Sequence, residues 1–410
     1  MQVPQQLPLP PQRGQELKIT GTYPKARFFS IAVYDNAPVS TGIADHLFDA
    51  QIVPDPGSIN PFATPDLGKC ISSTPHHWGR SKPSEAPDQA YTITVVRSTK
   101  SNDKKSNDNV LKLNADTGWL LYRLYLPNAN ESSMGGVPLP EVSITLKNGQ
   151  ISQLPICPIF NRQSELVPVQ AQIVPVQLEY PLDPEGGLDV PPVPDHIWFG
   201  ALKDPPPLLL PNPDQKYLVS FFMPEYEPDR LIVIRGKMPG YPDTYNGQPV
   251  SQPAKGFKAV QLRYWGACLG ELVSPLPIIG CATDARMPLD RHGFYTIVVT
   301  NDVLRPDWLP QTAVWLPWGD ETNVPKLIFM RNLLAADDFS QSVQEAIKRG
   351  CWFDLPFPTP PTQEAIKDAG ECALGVMGDY YPQAVWCDRT TFIKRGWRGC
   401  FRAADMPVWP

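Results

Sequence analysis

The stretch Ala26-Arg27-Phe28-Phe29-Ser30-Ile31-Ala32-Val33-Tyr34-Asp35 decides the fold. It is aromatic and β-branched, has no internal glycine or proline, and runs into the turn signal Asp35-Asn36-Ala37-Pro38, which is the pattern of a β-strand. Alternation puts Phe28, Ser30, Ala32 and Tyr34 on one face and Phe29, Ile31, Val33 and Asp35 on the other. Both faces are largely apolar, so an inner strand covered on both sides is expected. A second version, Val260-Gln261-Leu262-Arg263-Tyr264-Trp265-Gly266-Ala267-Cys268, stands in the other half of the chain.

Further echoes follow in the same order. Ile234-Arg235-Gly236-Lys237-Met238-Pro239 parallels Ile19-Thr20-Gly21-Thr22-Tyr23-Pro24, and Arg263-Tyr264-Trp265 parallels Arg27-Phe28-Phe29. Tyr295-Thr296-Ile297-Val298-Val299 parallels Tyr91-Thr92-Ile93-Thr94-Val95, and the segment 327–333 parallels 120–126 with an arginine inside each. Such order points to a duplicated β-domain, although β-rich strands also resemble one another by composition. The expected architecture is all-β with Pro-rich loops and few short helices, and the family that these strands resemble implies two tandem jelly-roll-like β-sandwich domains. The segments are a Pro/Gln-rich arm (1–15), a first sandwich (16–154), a Pro-rich connector (155–215), a second sandwich (216–336) and a disulfide-stapled tail (337–410). Capping residues and apolar spacing predict short helices over Ser340–Arg349 and Pro361–Ala369.

Fifty prolines in 410 residues forbid long helices and central strands at many points and favour short strands joined by long, rigid loops. A formal charge of −6 argues against a nucleic-acid partner, and no apolar run is long enough for a membrane span. The eight cysteines, Cys70, Cys157, Cys268, Cys281, Cys351, Cys372, Cys387 and Cys400, show no metal-site or redox-motif spacing. Four disulfides in an oxidising compartment are expected, with buried thiols as the alternative. Cys268 and Cys281 bracket an apparent hairpin and make the first candidate pair.

ARFFSIAVYD followed by YTITVV and WLLYRLYLPN resembles an uncharacterised family of exported bacterial proteins with jelly-roll-like β-domains. The resemblance covers about a third of the chain. The Trp119-Leu120 pair lacks the preceding asparagine of the family pattern, and in the second half the pair stands as Trp308-Leu309 or Trp315-Leu316. It implies a β-sandwich and export to the periplasm, the cell surface or beyond, and no known reaction.

No nucleophile elbow, P-loop or dinucleotide fingerprint occurs. His76-His77-Trp78 is the sole histidine cluster; adjacent strand residues face opposite ways, so joint metal ligation would need a loop, and an ordinary loop is the reading set against it. Asp55-Pro56-Gly57-Ser58-Ile59-Asn60 could offer oxygens to calcium, or simply satisfy its own backbone as Asx turns. Arg27, Arg123, Arg263 and Arg331 stand inside aromatic strands, where a buried guanidinium needs a carboxylate, a carbonyl or a ring. They form structural ion pairs or cation–π stacks, or else an anionic-ligand site. Trp308, Trp315 and Trp318 lie in one Pro-rich loop and could present a platform for a glycan or small ligand, or pack beneath that loop.

A non-catalytic exported surface or structural protein, self-assembling through its arm and aromatic loops, is the function expected first. A carbohydrate- or small-ligand-binding protein is the alternative, and a hydrolase or lyase with a loop-built site the third.

Overall fold

The computed structural model describes residues 2–6, 16–37, 40–63, 88–98, 109–146, 148–154, 196–205, 210–222, 229–271, 278–319, 326–355 and 361–406. Cys70, Cys157 and the His76-His77-Trp78 cluster lie outside them. The described residues are mostly β, with 43% of them in strands and 17% in helices. The chain divides into two compact units, residues 1–160 with 242–252, and residues 161–241 with 253–410.

The first unit holds β1 (Gln2–Gln6), β2 (Glu16–Thr22), β3 (Ala26–Asp35), β4 (Gly42–Phe48), β5 (Ala90–Arg97), β6 (Val110–Leu113), β7 (Gly118–Pro127), β8 (Glu141–Thr145) and β9 (Ile151–Gln153). They form sheets of order β1-β7-β3-β4 and β6-β5-β2-β8-β9. As its two apolar faces require, β3 is an inner strand, buried along its length except at Asp35. Phe29, Ile31 and Val33 from β3, with Leu120 and Tyr122 from β7, meet Leu17, Ile19, Tyr91, Ile93 and Val95 of the other sheet in one core. Residues 242–252 belong here although they lie far along the chain: Val250 joins that core and the Tyr245 carbonyl accepts the Ala129 amide.

The second unit holds β10 (His196–Ile197), β11 (Gly200–Leu202), β12 (Gln215–Phe222), β13 (Arg230–Lys237), β14 (Leu262–Glu271), β15 (Ile278–Thr283), β16 (Phe294–Thr300), β17 (Val314–Pro317), β18 (Lys326–Ala335), α1 (Val343–Lys348), α2 (Gln363–Met377), β19 (Gln383–Asp388) and α3 (Arg389–Ala403). Its sheets run β11-β12-β18-β14-β15 and β10-β19-β13-β16-β17. Thus β12-β18-β14-β15 repeats the pairing of β1-β7-β3-β4, and β17-β16-β13-β19 that of β6-β5-β2-β8. The pairs β5/β6 and β16/β17 are both parallel, while the other strand pairs are antiparallel.

The tail differs from its expected form. The helix expected over Pro361–Ala369 continues to Met377, and α3 and β19 were not foreseen. Gln383–Asp388 is an inner strand between β10 and β13. It reads weakly in sequence because the apolar run Ala384-Val385-Trp386-Cys387 is short and shows no alternation. Ile366 and Ala369 of α2 cluster with Val219 of β12, Cys268 of β14 and Phe329 of β18. Phe392 and Phe401 of α3 cluster with Leu231 and Val233 of β13 and Val298 of β16. Three disulfides join Cys268 to Cys281, Cys351 to Cys372 and Cys387 to Cys400.

Candidate functional site

The strand arginines are the chemistry that the fold places most unusually. Arg27, fully buried at the start of β3, donates from Nε to Thr244 Oγ1 at 2.6 Å. Arg123, fully buried on β7, donates from Nη2 to Tyr34 Oη at 2.7 Å, with its guanidinium 5.5 Å from that ring. Arg263 is half-buried on β14. Arg331, half-buried on β18, donates from Nη1 to Cys268 Sγ at 3.3 Å and lies 4.8 Å from the Phe329 ring.

A fifth arginine escaped the sequence reading. Arg235 on β13 is 1% exposed, donates to Thr296 Oγ1 at 3.0 Å, pairs with Asp290 and sits 3.8 Å over the Trp397 ring. Burial, the largest influence, lowers the guanidinium pKa while Asp290 pulls it back up. Burial works against ionisation of Asp290 as well, but hydrogen bonds from Arg235 and from the Phe294 and His292 amides hold its carboxyl below the usual value. Arg235 stood in plain view inside an echoed segment, yet its counterpart there is Thr20, so it carried no repeated-arginine signal.

Of the three loop tryptophans, Trp318 lies in the core, while Trp308 and Trp315 are half-buried. Trp318 is 1% exposed, 5.2 Å from Trp386 and 5.9 Å from Phe222. Trp315 is half-buried and gives its indole N–H to Thr300 Oγ1 at 3.0 Å. Trp308 packs edge-on against Phe392 and lies under the Arg389 guanidinium at 5.4 Å. Trp318 belongs to the main core of its unit, while Trp308 and Trp315 pack against the cluster of β13, β16 and α3 side chains.

The calcium-like loop is occupied by its own hydrogen bonds. Asp55 Oδ2 accepts from Thr92 Oγ1 at 3.0 Å, Asn60 Nδ2 donates to the Asp49 and Ile52 carbonyls, and Asn60 Oδ1 accepts the Phe62 amide. Among the described residues no group of three or more His, Cys, Asp or Glu side chains is placed to hold a metal ion.

A surface groove of about 660 Å³ opens beside α2, lined by Trp352, Phe353, Asp354, Thr362, Ala365 and Asp368 among others. Trp352 is half-buried, with Lys203 Nζ 4.2 Å over its ring, and Asp354 and Asp368 are exposed. An aromatic wall beside carboxylates suits a hydroxyl-rich or cationic small molecule. Neither Trp352 nor the aspartates carried a motif, because the groove exists only once α2 is folded against 350–354.

No family model and no curated protein matches the chain. Among solved structures it is similar to an uncharacterised protein from Burkholderia cenocepacia (12% identity, 82% of this chain and 73% of that one, TM-score 0.44). It is also similar to a protein from Vibrio parahaemolyticus (10% identity, 83% and 85%, TM-score 0.37). Scores and identities of this size carry no functional argument.

Proposed function

We propose that this chain is an exported, non-catalytic surface or structural protein, built from two copies of one jelly-roll-like β-sandwich and related to the uncharacterised exported bacterial family it resembles. The disulfide set carries the proposal. Three cysteine pairs at bonding distance tie a hairpin, a loop to α2, and β19 to α3, and such staples persist where the medium is oxidising. The duplication is supported by the repeated strand orders and their matching parallel edge pairs. Four of the strand arginines close on neighbouring side chains, which is chemistry used for structure. Alkylation of protein taken from its native source, before and after reduction, tests export; thiols reactive without reduction would overturn it. Light scattering across concentrations, with and without residues 1–14, tests assembly. The full chain should associate and the truncated chain should not; a full chain that stays monomeric throughout would overturn the assembly.

The groove at Trp352 favours a second role as a carbohydrate- or small-ligand-binding protein. Tryptophan fluorescence against a glycan panel should shift in the native chain and not in Trp352→Ala. No shift with any glycan would retire this role.

A further inference from the structure

We infer that Cys268–Cys281 is a thiol-exchange site at which a low-molecular-weight thiol forms a mixed disulfide on Cys281, with Arg331 holding the Cys268 thiolate that leaves. The two cysteines are directly opposed on β14 and β15, and β15 is the edge strand of its sheet. The two ends of the bond differ. Cys281 is exposed, whereas Cys268 is fully buried in the cluster with Phe329, Phe353 and Ile366. An incoming thiolate therefore reaches Cys281 Sγ and not Cys268 Sγ.

Arg331 marks Cys268 as the leaving group. It lies on the neighbouring strand β18, opposite Gly266 and two pairs away from the Cys268–Phe329 pair, on the same face of the sheet. Its Nη1 donates to Cys268 Sγ at 3.3 Å, Nε is buried without a partner, and among the described residues no carboxylate pairs with it. A disulfide sulfur is a weak acceptor for a guanidinium, while a thiolate is a strong one. The cation is thus better satisfied after the bond opens than before. Neither other pair has this arrangement among the described residues: Cys387 and Cys400 are both buried, and Cys372 is exposed but no cation is bonded to Cys351.

In the step itself, the thiolate forms a bond to Cys281 Sγ, the Cys268–Cys281 bond breaks, and its electron pair goes to Cys268 Sγ beside Arg331. A second thiol attacks the mixed disulfide, releasing the oxidised small disulfide and leaving two protein cysteines reduced by two electrons. The inference does not depend on the function proposed above.

Purified full-length protein, exposed to graded glutathione, quenched with an alkylating agent and mapped by peptide mass spectrometry, tests it. Cys268–Cys281 should open before the other two pairs, with glutathione on Cys281. Arg331→Met should slow that opening about tenfold while leaving the other pairs unchanged, because the leaving thiol loses its cation. Arg331→Lys should restore most of the rate, which a purely structural role for the side chain would not do. Opening no earlier than Cys351–Cys372, or glutathione on Cys268, would overturn the inference. So would an unchanged rate in a folded Arg331→Met protein. Should that variant fail to fold, the order of opening and the site of glutathione in the unmodified protein still decide.

Discussion

Asp49 and Asp284 make the same pair of hydrogen bonds in the two units. Asp49 accepts the Phe29 amide on Oδ2 at 3.1 Å and the Ala50 amide on Oδ1 at 2.7 Å. Asp284 accepts the Trp265 amide on Oδ2 at 2.8 Å and the Ala285 amide on Oδ1 at 2.6 Å. Each is fully buried and opens a one-turn 3-10 helix after an outer strand, β4 or β15. Each carboxylate ties that helix to the neighbouring inner strand, β3 or β14.

Asp49→Ala and Asp284→Ala should each cost about 3 kcal/mol, since each leaves one buried and one part-buried backbone amide without its acceptor. Urea unfolding of each variant measures this. A loss below about 1 kcal/mol would mean that the bonds hold nothing.

Gly21 and Gly236 give a second matched pair. Gly21 is opposite Tyr91 and Gly236 opposite Tyr295, and a Cβ at either glycine would stand 2.6 Å from the facing tyrosine oxygen. The glycine is required by this close approach, because the tyrosine ring lies across it. Gly236→Ala should destabilise by about 2 kcal/mol through overpacking. Adding Tyr295→Phe should recover part of that loss, a coupling that a double-mutant cycle measures.

Burial, with help from Lys367, pushes His196 down to about 4. Its folded pKa lies below its unfolded value of 6.5, so its contribution is full above 6.5 and is lost as pH falls towards about 4. Stability should therefore decline through this window, and His196→Gln should flatten the decline. An imidazole titrating near 6.5 by NMR in the native protein would sink the prediction.

Asp290 acts in a lower window. With its folded pKa depressed by the pairing to Arg235, its contribution is present above the unfolded carboxylate value and disappears as pH drops through the folded one. The difference in melting temperature between neutral and strongly acid pH should be larger in the native protein than in Asp290→Asn. A steeper acid loss in the native chain than in Asp290→Asn is expected; equal slopes would count against the pair.

The β class, the central position of Ala26–Asp35 and the Cys268–Cys281 hairpin pair were legible in the residues, because alternation and turn chemistry are local and survive without knowledge of the neighbours. Tertiary structure alone decided which distant segments meet. It brought Thr244 to Arg27 across 217 positions, set Asp290 and Trp397 around Arg235, and supplied β19 as an inner strand from what read as a tail. It also turned Trp318 from a candidate platform into core. A buried cation declares in sequence that it needs a partner, but the partner's identity depends on strand order. Strand order follows from how the sheets bury their faces against one another, and no single stretch of residues encodes that.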